Sequence, residues 1–478
     1  MAYRILEAIV FLGLVETSFA AEPEPVFRAG AFAMDVTPKK FPISVNGGMS
    51  DREVKSANDP LHARCLVLDD GKTKLAIVVV DSCMLPRELI EDAKAQAAKK
   101  TGIPKSHMLV SATHTHSAPT STGVFQSDPD EAYVQYLAGK IAEGIEKAHG
   151  RLAPAKIGWS SVNEPSQLFN RRWKREQAMI PANPFGGTTD RVQMNPGYQA
   201  KGLIESAGTV DPEVSVLAVQ SKDGKPIALL ANYSLHYVGG NPELSADYFG
   251  EFADRIARLL DQENGSGAFV GILSNGTSGD VNNVNFGGPA PKGRQPGEQI
   301  KVVADAVAKA AHAAYKKIEF KNHVALAAAE KDIELGVRKP SATELERARK
   351  LLDEQRDARN LKGMPAIYAR ESVLLAKYPD KVTAKLQALH IGELGIAAIP
   401  CEVFTEIGLD IKKRSAHKAT FTIELANGYN GYLPTPAQHE LGGYETWRAR
   451  SSYLETEASV KIVATILELL KKAKTMDN

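Results

Sequence analysis

LHARCLVLDD (61–70) and KLAIVVVDS (74–82) are apolar runs rich in β-branched residues, separated by a turn with a glycine, and they predict two adjacent strands. The next segment, PRELIEDAKAQAAKKTG (86–102), predicts a helix with proline near its start and glycine at its end. HMLVSATHTH (107–116) predicts a further strand, and DEAYVQYLAGKIAEGIEKAHG (130–150) an amphipathic helix. This alternation predicts an α/β fold with a layered mixed β-sheet core flanked by helices.

The rest of the chain continues this pattern. PIALLANYSLH (226–236) and AFVGILSN (268–275) are candidates for buried strands, with the helical DYFGEFADRIARLLDQ (247–262) between them. LQALHIGELGIAAIPCEVF (386–404) indicates two strands around a glycine-containing turn, and SVKIVATILELLKKA (459–473) indicates a closing helix. No internal repeat or interdomain linker is evident in the sequence, so we expect one large domain.

The N-terminus has the pattern of an exported protein. Arg4 precedes an apolar stretch from Ala8 to Val15, which is followed by the small residues Ser18 and Ala20. This order predicts a secretory signal peptide over residues 1–20, leaving residues 21–478 as a single domain. Three cysteines cannot form a disulfide framework, which favours the bacterial periplasm over a disulfide-rich extracellular setting, although either is compatible with export.

Composition gives no indication of a nucleic-acid partner or of a membrane span. The 478 residues carry a net charge of +1 and 24% charged residues, so no basic face for nucleic acid is indicated. Beyond the predicted signal peptide, no segment approaches the roughly 18 apolar residues that a membrane span requires. We therefore expect no nucleic-acid partner and at most peripheral membrane contact.

Polar side chains follow several of the predicted strands. His114 and His116 are two apart in an extended segment, where they project to the same face, and this spacing recurs among metal ligands. His236 ends another strand, and Glu402 follows a third. Each residue alone is compatible with a structural role at a turn or a strand end. Together they are the residues that a metal site at one edge of a sheet would use.

Eight short motifs, in their order along the chain, resemble those of the neutral/alkaline (non-lysosomal) ceramidase family. They are FAMDVTP (32–38), NDPLHARCLVLDDG (58–71), THTHSAP (113–119), FNRRW (169–173), LHYVGG (235–240), SNGTSGDVNN (274–283), IPCEVF (399–404) and NGYNGYLPTP (427–436). The resemblance runs from about Phe27 to about Tyr453 and implies a ceramidase-like catalytic domain.

Carried over residue by residue, the resemblance implies a zinc site formed by His114, His236, Glu402 and Tyr432. Zinc lowers the pKa of a coordinated water and polarises a carbonyl group. The expected activity is that of an exported zinc-dependent hydrolase that cleaves the linear amide bond of an N-acylated lipid or small molecule, as in sphingolipid metabolism.

The resemblance also implies three catalytic residues. His116 is expected beside the metal, where it contacts substrate or relays a proton to the leaving group. Arg171 matches the active-site arginine of the family, and Tyr444 matches a tyrosine that helps to polarise the scissile carbonyl.

The chain departs from the family pattern in one informative loop. Asn282 stands where the family has a serine, and Asn283 follows where proline is usual. A serine nucleophile at this position is excluded, whereas hydrolysis by a metal-activated water does not need one. The substrate therefore stays open, and a carbohydrate derivative in the same pocket or a non-catalytic binding protein are the alternatives. The C-terminal immunoglobulin-like domain of the full-length enzymes is not expected in this chain.

Overall fold

The computed structural model describes residues 26–261, 269–356, 358 and 360–476. The predicted signal peptide over residues 1–20 lies outside the described residues. No helix within the described ranges is both long and apolar enough to cross a membrane.

The β-strands of the described residues are labelled in chain order. They are β1 Arg28–Asp35, β2 Ile43–Ser44, β3 Glu53–Val54, β4 His62–Asp69, β5 Lys74–Val80, β6 Met108–Ala112, β7 Ala153–Asn163, β8 Phe169–Asn170, β9 Arg172–Arg175, β10 Val192–Met194, β11 Leu203–Ser206, β12 Glu213–Ser221, β13 Pro226–Tyr233, β14 Val270–Asn275, β15 Val281–Asn282, β16 Leu326–Gly336, β17 Lys381–Ile391, β18 Leu394–Ala398, β19 Glu402–Val403, β20 Ala419–Ile423 and β21 Tyr432–Leu433.

The α-helices are labelled in the same way. They are α1 Arg87–Thr101, α2 Glu131–His149, α3 Asp247–Leu259, α4 Glu298–Tyr315, α5 Ala342–Asp353, α6 Met364–Leu375, α7 Thr405–Arg414, α8 Pro436–Leu441 and α9 Ala458–Thr475. The strand and helix segments anticipated from the sequence agree with these elements to within a few residues.

Two mixed sheets form the core. The larger has the order β14-β13-β12-β7-β1-β4-β5-β6, and the smaller has the order β16-β17-β18-β20. In the larger sheet the two edge pairs, β5–β6 and β13–β14, are parallel, whereas the inner pairs are antiparallel. This arrangement confirms the mixed sheet that the sequence predicts.

Alternating side chains of the larger sheet enter two different cores. On β4, Cys65 and Val67 pack with residues of α1 and α2, whereas Leu66 and Leu68 pack against the smaller sheet. This is the period of two expected for a strand buried on both faces. Residues of α9 and α7 cover the other face of the smaller sheet. The layers therefore run helix, sheet, sheet, helix, which confirms the predicted α/β class.

The larger sheet curls until its two edges approach one another. Strand β14 contacts β4, β5 and β6, although it lies at the opposite end of the strand order. The chain after β20 connects both edges: the amide of Glu424 donates to the carbonyl of Asn275 on β14, and the amide of Ala112 on β6 donates to the carbonyl of Leu425. The segments that follow β6, β13 and β14 therefore lie close to one another.

Candidate metal centre

The side chains of His114, His236 and Glu402 converge at this junction. His114 lies two residues after β6, and His236 lies three residues after β13. The Nε2 atom of His114 is 3.1 Å from Nε2 of His236 and 3.2 Å from Oε2 of Glu402. Oε2 of Glu402 is 3.8 Å from Nε2 of His236. All three residues are buried, so the sequence prediction that they meet agrees with the fold.

Backbone carbonyl groups orient both imidazole rings. Nδ1 of His114 donates to the carbonyl of Cys83 over 2.8 Å, and Nδ1 of His236 donates to the carbonyl of Ser278 over 3.0 Å. A neutral ring that carries its proton on Nδ1 presents a lone pair at Nε2. Histidine ligands of metals are held in this way by a second hydrogen bond.

Glu402 supplies a third donor atom. Its Oε1 accepts a hydrogen bond from the hydroxyl of Tyr429 over 3.0 Å, whereas the buried Oε2 has no hydrogen-bond partner. A buried carboxylate oxygen without a donor is costly unless a cation compensates for it. Two imidazole nitrogens and one carboxylate oxygen are a donor set that suits a divalent ion such as zinc.

The ionisable groups of the cluster shift one another's pKa values. Burial raises the pKa of Glu402, but the attraction of His114 and Arg171 outweighs it, so the pKa of this carboxyl group is lowered overall. Burial, together with the positive charges of Arg171 and His114, lowers the pKa of both His236 and His116 well below the usual value. Burial lowers the pKa of His114, but the attraction of Glu402 outweighs it and raises that pKa well above its usual value. Without an ion, a cationic His114 therefore pairs with the Glu402 carboxylate beside neutral His236 and His116.

A second grouping, Cys83 with His114 and His116, has the donor types of a metal site. Within it, the Cys83 thiol lies 3.9 Å from Nδ1 of His114, the atom that already donates to the Cys83 carbonyl. Burial also raises the pKa of this thiol. We therefore assign the candidate metal centre to His114, His236 and Glu402.

His116 lies between this cluster and an open cleft. Its Nε2 is 3.2 Å from Nε2 of His114, and its ring stacks on Tyr237 with centroids 3.7 Å apart. His116 and Tyr237 line a cleft of about 790 Å³, bounded by residues 45–52 and 237–242. The paired histidines therefore have different environments: His114 is buried, and His116 faces the cleft.

Arg171 and Tyr432 extend the cluster on another side. Nη2 of Arg171 donates to the hydroxyl of Tyr432 over 3.0 Å, and Tyr432 lies beside Glu402 because β19 and β21 pair in parallel. The ring of Tyr444 packs edge-on against Tyr432 with centroids 5.8 Å apart. All seven residues expected at the site thus lie in one neighbourhood.

Several site residues were missed by sequence reasoning. Glu445 is fully buried and accepts hydrogen bonds from Arg171 and from Arg172, over 3.1 and 2.6 Å. Tyr429, whose hydroxyl donates to Oε1 of Glu402, is a second such residue. The Gly47–Gly48 pair was the available signal for a close approach, because a Cβ atom at Gly47 would lie 2.3 Å from the His116 ring.

Asn282, in the serine position of the family motif, is held by the surrounding loops. Its Nδ2 donates to Oδ1 of Asn195 over 2.9 Å, and its Oδ1 accepts from the amide of Val284 over 2.9 Å. The backbone of Asn282 pairs with Phe169 of β8. These contacts give the side chain a structural role at the site's margin.

Comparison with known proteins identifies the architecture. No protein-family model matches the chain. Neutral ceramidase B of Dictyostelium discoideum is 23% identical over 291 residues, which are 56% of this chain and 37% of that protein. The match thus spans well under half of the length of this curated relative.

Solved structures agree over almost the whole chain. The neutral ceramidase from Pseudomonas aeruginosa superposes with a TM-score of 0.70 at 16% identity, covering 95% of this chain and 75% of that one. A ceramidase complexed with C2 superposes with a TM-score of 0.68 at 15% identity, covering 94% of this chain and 76% of that one. The resemblance seen in the sequence motifs is confirmed: this chain has the fold of the neutral ceramidase family.

Proposed function

We propose that this chain is a metal-dependent amide hydrolase, with zinc as the preferred ion, that cleaves the amide bond of an N-acylated lipid or small molecule. The convergence of the two Nε2 atoms of His114 and His236 with the buried Oε2 of Glu402, all within 3.8 Å of one another, carries this proposal. The ceramidase fold supports it, because the curated relative and the two solved structures that share it are ceramidases.

A divalent ion held by these donors, with Tyr432 as a fourth ligand, would supply an acidified water and would polarise the substrate carbonyl. We assign proton transfer and charge stabilisation to the chain's own residues. His116 is neutral, because burial lowers its pKa, and it faces the cleft, so it can accept a proton and return it to the leaving amine.

Arg171 and Tyr444 would stabilise negative charge on the substrate oxygen. Burial disfavours charge on Arg171, but Tyr432 and Glu445 outweigh it and raise its pKa, so the guanidinium stays cationic. Burial also raises the pKa of Tyr444, which keeps its phenol protonated and able to donate a hydrogen bond. Preorganised donors of this kind typically contribute about 10²–10³ in kcat.

The lining of the cleft is compatible with two substrate classes. Asn46, Ser50, Asp51, Arg52 and Asn241 contribute polar groups beside His116. Val45, Met49, Tyr237 and Pro242 line the same cleft with apolar surface, so its lining suits an acyl chain as well as a polar head group such as that of an acylated sugar.

Two measurements test the proposal. Purified protein is expected to hold close to one zinc per chain and to hydrolyse amides in a panel of fluorescent ceramide, short N-acyl amines and N-acyl sugars. Absence of bound metal would contradict the metal centre. Metal binding without turnover of any amide would contradict the hydrolase and would favour a binding protein.

We also propose that the chain is exported, on the basis of residues 1–20. Expression of the full chain in a Gram-negative host, followed by mass spectrometry of the periplasmic fraction, is expected to show a mature protein that begins at Ala21. Recovery of the uncleaved chain from the cytoplasm would contradict export.

A further inference from the structure

Glu424 is a fully buried carboxylate that the proposed reaction does not use. It follows β20, in the segment that connects the two edges of the larger sheet. Its Oε1 accepts a hydrogen bond from the hydroxyl of Ser278 over 2.6 Å. Its Oε2 accepts from the amides of Ser278 and Val403, over 3.2 and 2.6 Å.

These partners belong to the segments that hold two of the candidate ligands. Ser278 accepts the Nδ1 proton of His236 at its carbonyl oxygen, and its hydroxyl lies 3.3 Å from the same nitrogen. Val403 directly follows Glu402 in the chain and in β19. One carboxylate group thus connects the supports of an imidazole ligand and a carboxylate ligand that come from distant parts of the sequence.

Other hydrogen bonds also join the two segments. The amide of Gly279 donates to the carbonyl of Val403, and Asp280 accepts from the amide and hydroxyl of Thr405. These contacts hold the two segments together, whereas Glu424 holds the Ser278 residue that orients His236. Residues that support metal ligands typically contribute 10- to 100-fold to metal affinity.

We propose that Glu424 is a positioning residue of the metal centre, which keeps the donor atoms of His236 and Glu402 aimed at one point. This role rests on the metal centre of the proposed function. It predicts that loss of the Glu424 hydrogen bonds weakens metal binding although every ligand remains.

The test is the zinc dissociation constant, measured by competition with a chromophoric chelator at fixed pH. Glu424→Ala is expected to weaken zinc binding by about 10- to 100-fold. Glu424→Gln is expected to stay within about threefold of the wild type, because its amide oxygen can accept both backbone bonds and its amide nitrogen can donate to the Ser278 hydroxyl. Ser278→Ala is expected to lose less than Glu424→Ala, since the backbone carbonyl still holds His236.

Asp70 provides a matched control. It is also buried, and its carboxylate accepts hydrogen bonds from the backbone amides of Lys72, Thr73 and Leu326. Asp70 lies in the turn between β4 and β5, at the end of the sheet opposite to the candidate metal centre. Asp70→Ala is expected to lower the urea midpoint while leaving zinc affinity within about threefold of the wild type. Equal loss of zinc affinity in this control would overturn the specific role of Glu424.

Glu424→Asp keeps the carboxyl group but shortens the side chain, and it serves if Glu424→Ala does not fold. It is expected to weaken zinc binding by about tenfold, with a far-ultraviolet spectrum like that of the wild type. Unchanged zinc affinity in folded Glu424→Ala or Glu424→Asp would overturn the role, as would a loss in Glu424→Gln as large as that in Glu424→Ala. A wild type that binds no zinc would instead overturn the proposed metal centre itself.

Discussion

Arg171 donates from Nη2 to the phenol oxygen of Tyr432 over 3.0 Å, and its guanidinium lies 5.6 Å from the centre of the same ring. The positive charge favours the phenolate, but burial and the neighbouring Glu402 raise the pKa of Tyr432 well above its usual value. Without an ion the phenol is therefore neutral. The three donors of His114, His236 and Glu402 do not depend on this deprotonation.

This relationship predicts the behaviour of Tyr432→Phe. We expect the variant to retain zinc within about tenfold of wild-type affinity, because three ligands remain, and to lose about 10- to 100-fold in kcat/KM. Zinc titration and steady-state kinetics on the same preparation check the prediction. Loss of zinc as complete as that caused by removing a histidine ligand would show that Tyr432 is an essential ligand.

Removal of either imidazole ligand is expected to be more severe. Either substitution, His114→Ala or His236→Ala, leaves only one imidazole and the Glu402 carboxylate of the three donors. We therefore expect little zinc after dialysis and turnover reduced by about 10³-fold or more. Metal analysis by mass spectrometry measures the content directly. His312→Ala on α4 is the control, since this histidine lies outside the cluster and its variant should keep its metal.

Substitutions of Tyr429 and Tyr444 are expected to have different effects, the first on zinc affinity and the second on turnover. Tyr429→Phe removes the 3.0 Å hydrogen bond to Oε1 of Glu402, so we expect zinc affinity to fall by about 3- to 10-fold. Tyr444→Phe removes no contact to a ligand and should lower kcat by about tenfold or more at unchanged zinc affinity. The same loss of affinity in both variants would contradict this division of roles.

Much of the site was predictable because it lies where strands end. Apolar runs located β6 and β13, and His114 and His236 follow these strands by two and three residues. The sequence could not show that these strands meet, because β13 lies near one edge of the larger sheet and β6 forms the other. Their approach depends on the curl of the sheet and on the segment after β20, which connects the edges through long-range hydrogen bonds.

Residues that orient the ligands were harder to predict than the ligands themselves. Cys83 and Ser278 act through backbone carbonyl groups, which any residue type supplies, so their side chains give no signal. Glu445 and Glu424 are recognisable only by their burial. The resemblance to the family, in contrast, indicated Tyr432 and Arg171, for which spacing alone offered no argument.

Position 47 favours glycine for two reasons, its backbone conformation and its closeness to His116. Its φ of 99° favours glycine, and an added Cβ would lie 2.3 Å from the His116 ring. Gly47→Ala is expected to displace His116 and to lower kcat/KM by about tenfold or more with bound zinc retained. Gly224→Ala is a matched control, because Gly224 has a φ of 86° but nothing within 4 Å of its added Cβ. Equal activity of the two variants would contradict the role of the close approach.

His417 makes stability depend on pH away from the metal centre. Burial, together with the neighbouring charges of His390 and Lys474, lowers its pKa to about 4, whereas an unfolded histidine titrates near about 6.5. Because the unfolded chain binds a proton more readily, the stabilisation is fully present above about pH 6.5 and is lost as pH falls toward 4. Unfolding in urea at several pH values measures this loss for the wild type.

His417→Gln isolates the contribution of this group, because glutamine does not titrate. The wild type should lose about 1–3 kcal/mol more of its unfolding free energy than the variant between pH 7 and pH 4. In the wild type, Nε2 of His417 lies 2.9 Å from Nδ1 of His390. The side-chain amide of glutamine at position 417 keeps a hydrogen-bonding group there. Parallel pH profiles for the two proteins would show that His417 has the same pKa in the folded and the unfolded chain, and would contradict the effect of burial beside His390.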